Sequence, residues 1–293
     1  MIDFFQFLVS GLVMGSIYAL VAMGFVLIYK STSVLNFAQG EFLMVGAYIC
    51  LNTMLSFQIH FVWAFVLTMC FSVVLGMLVE ILILRPLTGE PIISVIMATI
   101  GLSSILRGLV IAIWGNDIRP FPEIFPPEPY VFYGIVVDHV YLWSVGGALL
   151  LMIAFGIFFK VTRMGTAMRA VADDQQAAQT MGIRVKRVFA LAWCISAVVS
   201  AIGGILIAFL NGVGMPLAHF GLKVFPAVIL GGLDSIVGAV IGGLIVGVLE
   251  NLSGGYLDPI IPASTQVAPF VILVLILMIK PYGLFGTHEI ERV

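Results

Sequence analysis

Charge is what this 293-residue sequence has least of. Asp, Glu, Lys and Arg make up only 10% of it, where a soluble domain carries about 25%. Hydrophobic residues make up 61%, and the mean hydropathy is +1.18. That composition cannot cover a water-soluble globule, so a soluble enzyme and a disordered chain are excluded. Basic residues are not in excess either: 13 Lys and Arg leave a net charge of −2, and no footprint for nucleic acid exists. Cysteine is scarce. Cys50, Cys70 and Cys194 lie in apolar runs without CxxC spacing, which argues against a disulfide framework or a zinc site. A GxxxxGK phosphate loop is also missing, since no Lys follows a Gly, so ATP hydrolysis by that device is excluded. No catalytic residue, cofactor or metal site is expected.

What is there is long apolar runs. A helix needs about 20 apolar residues to cross the hydrocarbon core, and such runs occur near 5–29, 37–56, 61–84, 91–114, 140–160, 188–210, 236–252 and 266–280. The run 221–230, bounded by Pro216 and Gly231-Gly232, is too short and reads as a broken or re-entrant piece. The expected architecture is all-α and polytopic, with about eight transmembrane helices plus that short segment. No stretch fits a separate soluble domain, so residues 1–293 read as a single transmembrane domain.

The few basic residues suggest an orientation. With the 161–187 loop cytoplasmic, Lys30, Arg85, Lys160, Arg163, Arg169, Arg184, Lys186, Arg187, Lys280 and Arg292 share one side. Arg119 alone lies opposite, and Arg107 and Lys223 fall within apolar segments. The N-terminus is then outside and the C-terminus cytoplasmic, provided that 221–230 counts as a crossing. Trp63, Trp114 and Trp143 fall at outer ends of spans, the level that amphipathic aromatics favour. The opening Met1–Phe5 lacks the basic start of a cleaved signal. The outer loop 115–139 holds Pro120, Pro122, Pro126, Pro127 and Pro129, and reads as a stiffened lid or a plain connector.

The 163–183 segment has an Ala- and Gln-rich middle that favours a short amphipathic helix. Asp173 and Asp174 suit its N-terminus, and Gly182 suits its stop. Six flanking basic residues fit either a solvated loop or a helix that docks into a soluble partner. Asn36, Gln39 and Glu41 begin the second span, as a gate or as a capping arrangement. Thr99, Ser103 and Ser104 lie near helical spacing on the fourth span, lining a pathway or bonding neighbouring helices. Glu80 and Arg107 are candidates for an ion pair, because an unpaired charge in lipid is costly. Lys223, with His219, reads as a snorkelling cation near the outer mouth. Asp234 suits capping the helix that starts at Ser235. The pairs Gly11/Gly15, Gly238/Gly242 and Gly243/Gly247 have GxxxG spacing and favour close helix packing.

Several motifs together resemble a known family. Gly11–Tyr48 reads GLVMGSIYALVAMGFVLIYKSTSVLNFAQGEFLMVGAY, with Asn36-Phe37-Ala38-Gln39-Gly40-Glu41 as its distinguishing part. Arg85-Pro86-Leu87, the run Phe225–Gly232 and the run Gly242–Gly247 follow in the family's order, and Ala177-Ala178-xxx-Gly182 matches a permease loop. The sequence is similar to the LivH-type permeases of branched-chain amino-acid ABC importers. Gln176 stands where that loop has a nominal Glu, and Asp234 where Gly is expected.

The resemblance implies a bacterial inner-membrane permease subunit without a motor of its own. It implies two ATP-binding cassette subunits docked on the loop through Gly165, Arg169, Gln176, Ala177, Ala178 and Gly182. It further implies a second homologous permease, LivM-like or another copy, and a periplasmic substrate-binding protein. Asn36, Gln39, Glu41, Thr99 and Ser103 are then the pathway or gate candidates. Urea and short-amide permeases are related alternatives. An ion-coupled secondary transporter would place acids at a broken helix, and no acidic pair flanks 221–230. An intramembrane protease would need partners that Ser253 and Asp234 lack in the sequence.

Overall fold

The computed structural model describes residues 2–87, 89–122, 124, 126, 128–132 and 134–286. Pro127 and Arg292, both used above, lie outside the described residues. The described chain is helical almost throughout: α1 Ile2–Thr32, α2 Gln39–Phe57, α3 Phe61–Val79, α4 Ile92–Trp114, α5 His139–Val161, α6 Arg163–Asp173, α7 Gln175–Thr180, α8 Val185–Asn211, α9 Pro216–Gly231, α10 Ile236–Tyr256 and α11 Ser264–Ile279. Among the described residues seven helices are long and apolar enough to cross a membrane, counting α3 with its continuation to Leu87. The remaining apolar helices, α9 and α11, have 16 residues each. The expected eighth span, 266–280, is therefore the short helix α11. The 221–230 piece is the second half of a helix that starts at Pro216 and carries Pro226 inside it.

The chain divides into two compact units. The first comprises 1–26, 125–149 and 223–293. Here glycines let backbones meet. A Cβ on Gly247 would lie 2.3 Å from the Gly15 backbone, and one on Gly243 would lie 2.4 Å from Ala19, so the GxxxG spacing becomes an α1–α10 seam. Ser235, not Asp234, caps α10, accepting from the Gly238 N–H at 3.0 Å. In the outer loop, Tyr130–Phe132 and Ile135–Val137 pair as a two-stranded antiparallel hairpin, β1–β2. The Gln6 side chain binds both backbone groups of Val136, at 2.9 and 3.0 Å. The hairpin lies within the loop expected as a stiffened lid or a plain connector.

The second unit comprises 27–124 and 150–222. Its axis is α8, which is buried along most of its apolar stretch, whereas α3 with its continuation to Leu87 and α4 are mostly open. The outer two are apolar on their open faces, as lipid or another apolar surface requires. α2 lies tightly on α8: a Cβ on Gly204 would sit 2.1 Å from the Leu43 carbonyl oxygen, and one on Gly46 would sit 2.5 Å from Ala201. Small residues at the crossing let the two backbones approach. Trp63 is 66% exposed at the start of α3, while Trp114 stacks on Tyr48 at a centroid distance of 5.3 Å.

Candidate functional site

Two regions of the second unit gather the residues singled out from sequence. The first is the short arm α6–α7. Thr162 caps α6 by accepting from the Gly165 N–H at 2.9 Å. Gly165 is required there, since an added Cβ would meet the Phe158 and Phe159 carbonyls at 2.6 Å. Arg169 donates to the Phe159 carbonyl and, at 3.2 Å, to the Thr166 hydroxyl. The arm is thus held against the end of α5 by its own sequence neighbours.

The single helix expected over this loop is two helices. Asp174 adopts an extended backbone, ends α6 and caps α7, accepting from the N–H groups of Gln176 and Ala177 at 2.8 and 2.9 Å. At the other end Gly182 has φ +83°. It donates to the Gln179 carbonyl, and Ile183 donates to Ala178, both at 3.0 Å. These two bonds form a Schellman stop. Ala178 is buried, Gln176, Ala177 and Gln179 are exposed, and Met181 is 83% exposed. The result is a six-residue helix, fixed at both ends, presenting a small apolar and amide surface.

The second region lies between α2, α4 and α8. Asn36, Gln39, Glu41 and Thr99 are all at most 2% exposed. The Asn36 amide accepts from the Ala38 N–H and donates to Gln39, both at 3.0 Å. The residue preceding α2, Ala38, has no capping side chain, so Asn36 shapes the turn rather than capping the helix directly. Gln39 donates to Ser196 at 2.9 Å and to Ser200 at 2.6 Å. Phe37 N–H reaches the Thr99 hydroxyl at 3.4 Å, and Ser103, one turn on, is half-buried.

Ser196 and Ser200 lie at the centre of the 27-residue α8. At 1.5 Å per residue that places Gln39 roughly 20 Å from either end of α8. The second span therefore starts halfway along α8 and not level with either of its ends. Residues 33–38 bring non-helical chain to that depth, which is tolerable only where side chains satisfy it. The Asn36–Gln39–Ser196–Ser200 network does so.

The ion pairs differ from expectation. Arg107 pairs with Glu41, and Glu80 pairs with Arg85 at 2.8 Å. The cause of the second pairing is local. Pro86 has no N–H to give, and its ring crowds the carbonyl four residues back. The chain widens into a π turn over Glu80–Leu84, in which the Arg85 N–H bonds the Glu80 carbonyl. That turn stacks the two side chains, and the Arg85 Nε and Nη2 grip both Glu80 oxygens at 3.2 and 2.8 Å. In the first unit Lys223 is no snorkelling residue. It pairs with Glu250, whose other oxygen accepts from Tyr18 at 2.6 Å. Glu250 escaped the sequence reading; its signal was an acid in an apolar span, which is rare unless paired.

Ser253 has a structural environment. It bonds Ser264 at 3.2 Å, and Ser264 bonds Asp258 at 2.7 Å. The Thr265 hydroxyl and N–H also donate to Asp258, and they lead in holding its carboxyl at about 2, with Ser264 assisting. A cleft of about 140 Å³ in the second unit is bordered by Gln175 of α7, Val95 of α4, Trp193 of α8 and the Glu80–Arg85 pair.

Comparison with known proteins places this architecture. Residues 7–279 match the family described as the branched-chain amino acid transport system permease component. The chain is 33% identical to the Escherichia coli K12 high-affinity branched-chain amino acid transport system permease protein LivH, over 99% of this chain and 98% of that protein. It is 31% identical to the Pseudomonas aeruginosa high-affinity branched-chain amino acid transport system permease protein BraD, over 99% and 98%. Among solved structures it resembles a chain of PsaBC from Streptococcus pneumoniae in complex with Fab, with a TM-score of 0.51, 14% identity, and coverage of 94% and 91%. At that identity the likeness concerns the fold.

Proposed function

Because the chain belongs to the family of branched-chain amino acid transport permease components, we propose that it forms the membrane pathway of an ABC importer for branched-chain amino acids. It is a multi-pass inner-membrane protein and acts as one transmembrane domain. Two separate ATP-binding cassette subunits supply energy, and a second permease, homologous or identical, completes the pathway. A substrate-binding protein delivers the amino acid from outside. The N-terminus faces outward and the C-terminus the cytoplasm, which puts the basic 161–187 segment on the ATPase side.

One observation supports the reading: α7 is a short helix with its cap and its stop built in. Its Asp174 cap and Gly182 stop fix its two ends locally, Ala178 seats it, and its outward surface is exposed from Gln175 to Ala177 and from Gln179 to Gly182. A rigid helix costs little conformational entropy on docking, so a push on it is transmitted and not absorbed. Gly165 and Arg169 tie the arm to α5, and α6 and α7 both pack against α8. ATPase closure thereby reaches α8, which bears the Ser196 and Ser200 partners of Gln39.

Cross-linking tests the assignment. Cys50, Cys70 and Cys194 are first replaced, and Ala177→Cys or Gln179→Cys is introduced in the assembled importer. A short thiol cross-linker is expected to capture an ATPase subunit, with a yield that changes when ATP is trapped. Capture from outer-loop positions but never from residues 177 or 179 would reject the docking role.

A further inference from the structure

Arg107 is the charge that the established contacts leave half used. It is the 16th residue of the 23-residue α4, and its side chain is 39% exposed. One Nη donates to Glu41, which is 2% exposed and closed to anything else. A guanidinium has five N–H donors. Its Nε is buried without a hydrogen-bond partner, and so is the hydroxyl of Tyr48 two turns further along α2. Burying a polar group unpaired is costly, and an exposed guanidinium deep in an apolar bundle is costly too. Natural proteins keep such features where a ligand or an aqueous path supplies the missing partner.

The surroundings give that partner a direction. α2 and α4 run side by side in the same sense, with contacts from Phe37 to Thr99, Glu41 to Arg107, and Tyr48 to Trp114. On α4, Val95, Thr99, Ser103 and Arg107 recur every four residues and so form one ridge. Val95 borders the cleft beside α7, Thr99 is buried, and Ser103 and Arg107 are both half-buried. Beyond Val95 the ridge is polar, with Thr99, Ser103 and Arg107 in line along α4.

We propose that Arg107, held in place by Glu41, pairs with the carboxylate of the permeating amino acid, and that the α2–α4 seam is its track. The inference rests on the importer reading above and deepens it. A branched-chain amino acid has an aliphatic side chain that needs only an apolar wall. Its carboxylate needs a counter-charge at mid-bundle, and a planar guanidinium grips a carboxylate by two parallel bonds where an ammonium cannot. Glu41 takes one donor and keeps the fork oriented. The alternative is that Arg107 exists only to neutralise Glu41.

The two differ in reconstituted vesicles containing the whole importer, its ATPases and its binding protein, with leucine uptake and ATP hydrolysis measured together. R107Q should lower leucine moved per ATP hydrolysed tenfold or more. The double variant E41Q/R107Q keeps an uncharged hydrogen-bonded pair and should assemble, yet remain as defective as R107Q. R107K keeps Glu41 paired and should lower the ratio three- to tenfold. A double variant that transports like the wild type, or R107K or R107Q with wild-type coupling, overturns the proposal. Failure of the wild-type importer to move leucine, or movement without ATP, would instead count against the importer reading.

Discussion

The arm α6–α7 and the seam between α2, α4 and α8 carry comparable numbers of candidate residues but are built by opposite means. On the arm, nearly every fixing contact joins residues within ten positions of each other, from the Thr162 and Asp174 caps to the Gly182 stop. In the seam, Gln39 reaches residues 157 and 161 positions away, and Arg107 reaches one 66 positions away. The arm is a part that can be shaped before it is used. The seam exists only when the bundle is assembled, so its polar groups depend on one another.

The comparison can be broken most sharply with two glycines. Gly204→Val would drive a side chain into the Leu43 backbone, and overpacking at a backbone crossing that cannot yield should cost about 3 kcal/mol, the top of the usual range. The expected outcome is loss of the folded protein in detergent thermal melts. Gly182→Ala has open space around it and only a positive φ to satisfy, so roughly 1 kcal/mol is expected, confined to α7. Equal destabilisation by the two would mean that the arm is not locally built.

Next in size is the hydrogen-bond network. Gln39→Leu removes the partner of Ser196 and Ser200. Leaving buried hydroxyls without that partner should cost about 1–3 kcal/mol, visible as a lower Tm of the whole chain. Asp174→Ala removes a cap worth about 1 kcal/mol. It should leave Tm nearly unchanged while reducing ATP-driven leucine uptake, the reverse of a seam phenotype. A fall in Tm as large as that of Gln39→Leu would remove the distinction.

The smallest effect concerns Asp258, a local anchor in the first unit that behaves as the arm does. Its folded value of about 2 lies below the ordinary 3.8, first because of the Thr265 hydroxyl. A depressed carboxyl contributes stability above its unfolded value and loses that contribution as pH falls through its folded value. The α10–α11 connection should therefore loosen between about pH 4 and pH 2. Thr265→Val should raise the Asp258 value, which site-specific NMR titration of the carboxyl would detect.

How much was legible in advance follows the same division. Asp174 and Gly182 could be assigned from residue type because caps and stops depend on neighbouring φ and ψ. The break into two helices was missed because Asp173 and Asp174 are equivalent by type, and only the backbone chose between them. The GxxxG pairs were legible as close-packing surfaces, and the structure supplied their partners. Glu80 and Arg107 were rightly suspected of pairing, but with the wrong partners. A charge in an apolar run says that it needs a counter-ion, and nothing in the run says which.

The sequence by itself determined that this is a predominantly helical membrane protein lacking a phosphate loop of its own, and it marked one loop as distinct. Those conclusions follow from hydropathy, charge and local backbone chemistry, which are properties of contiguous residues. Tertiary structure alone decided that α2 starts midway along α8, that Arg107 meets Glu41, and that Lys223 meets Glu250. Each depends on the depth at which one helix lies against another. That depth is set by small residues such as Gly46 and Gly204 at the crossings, through packing summed over whole helices.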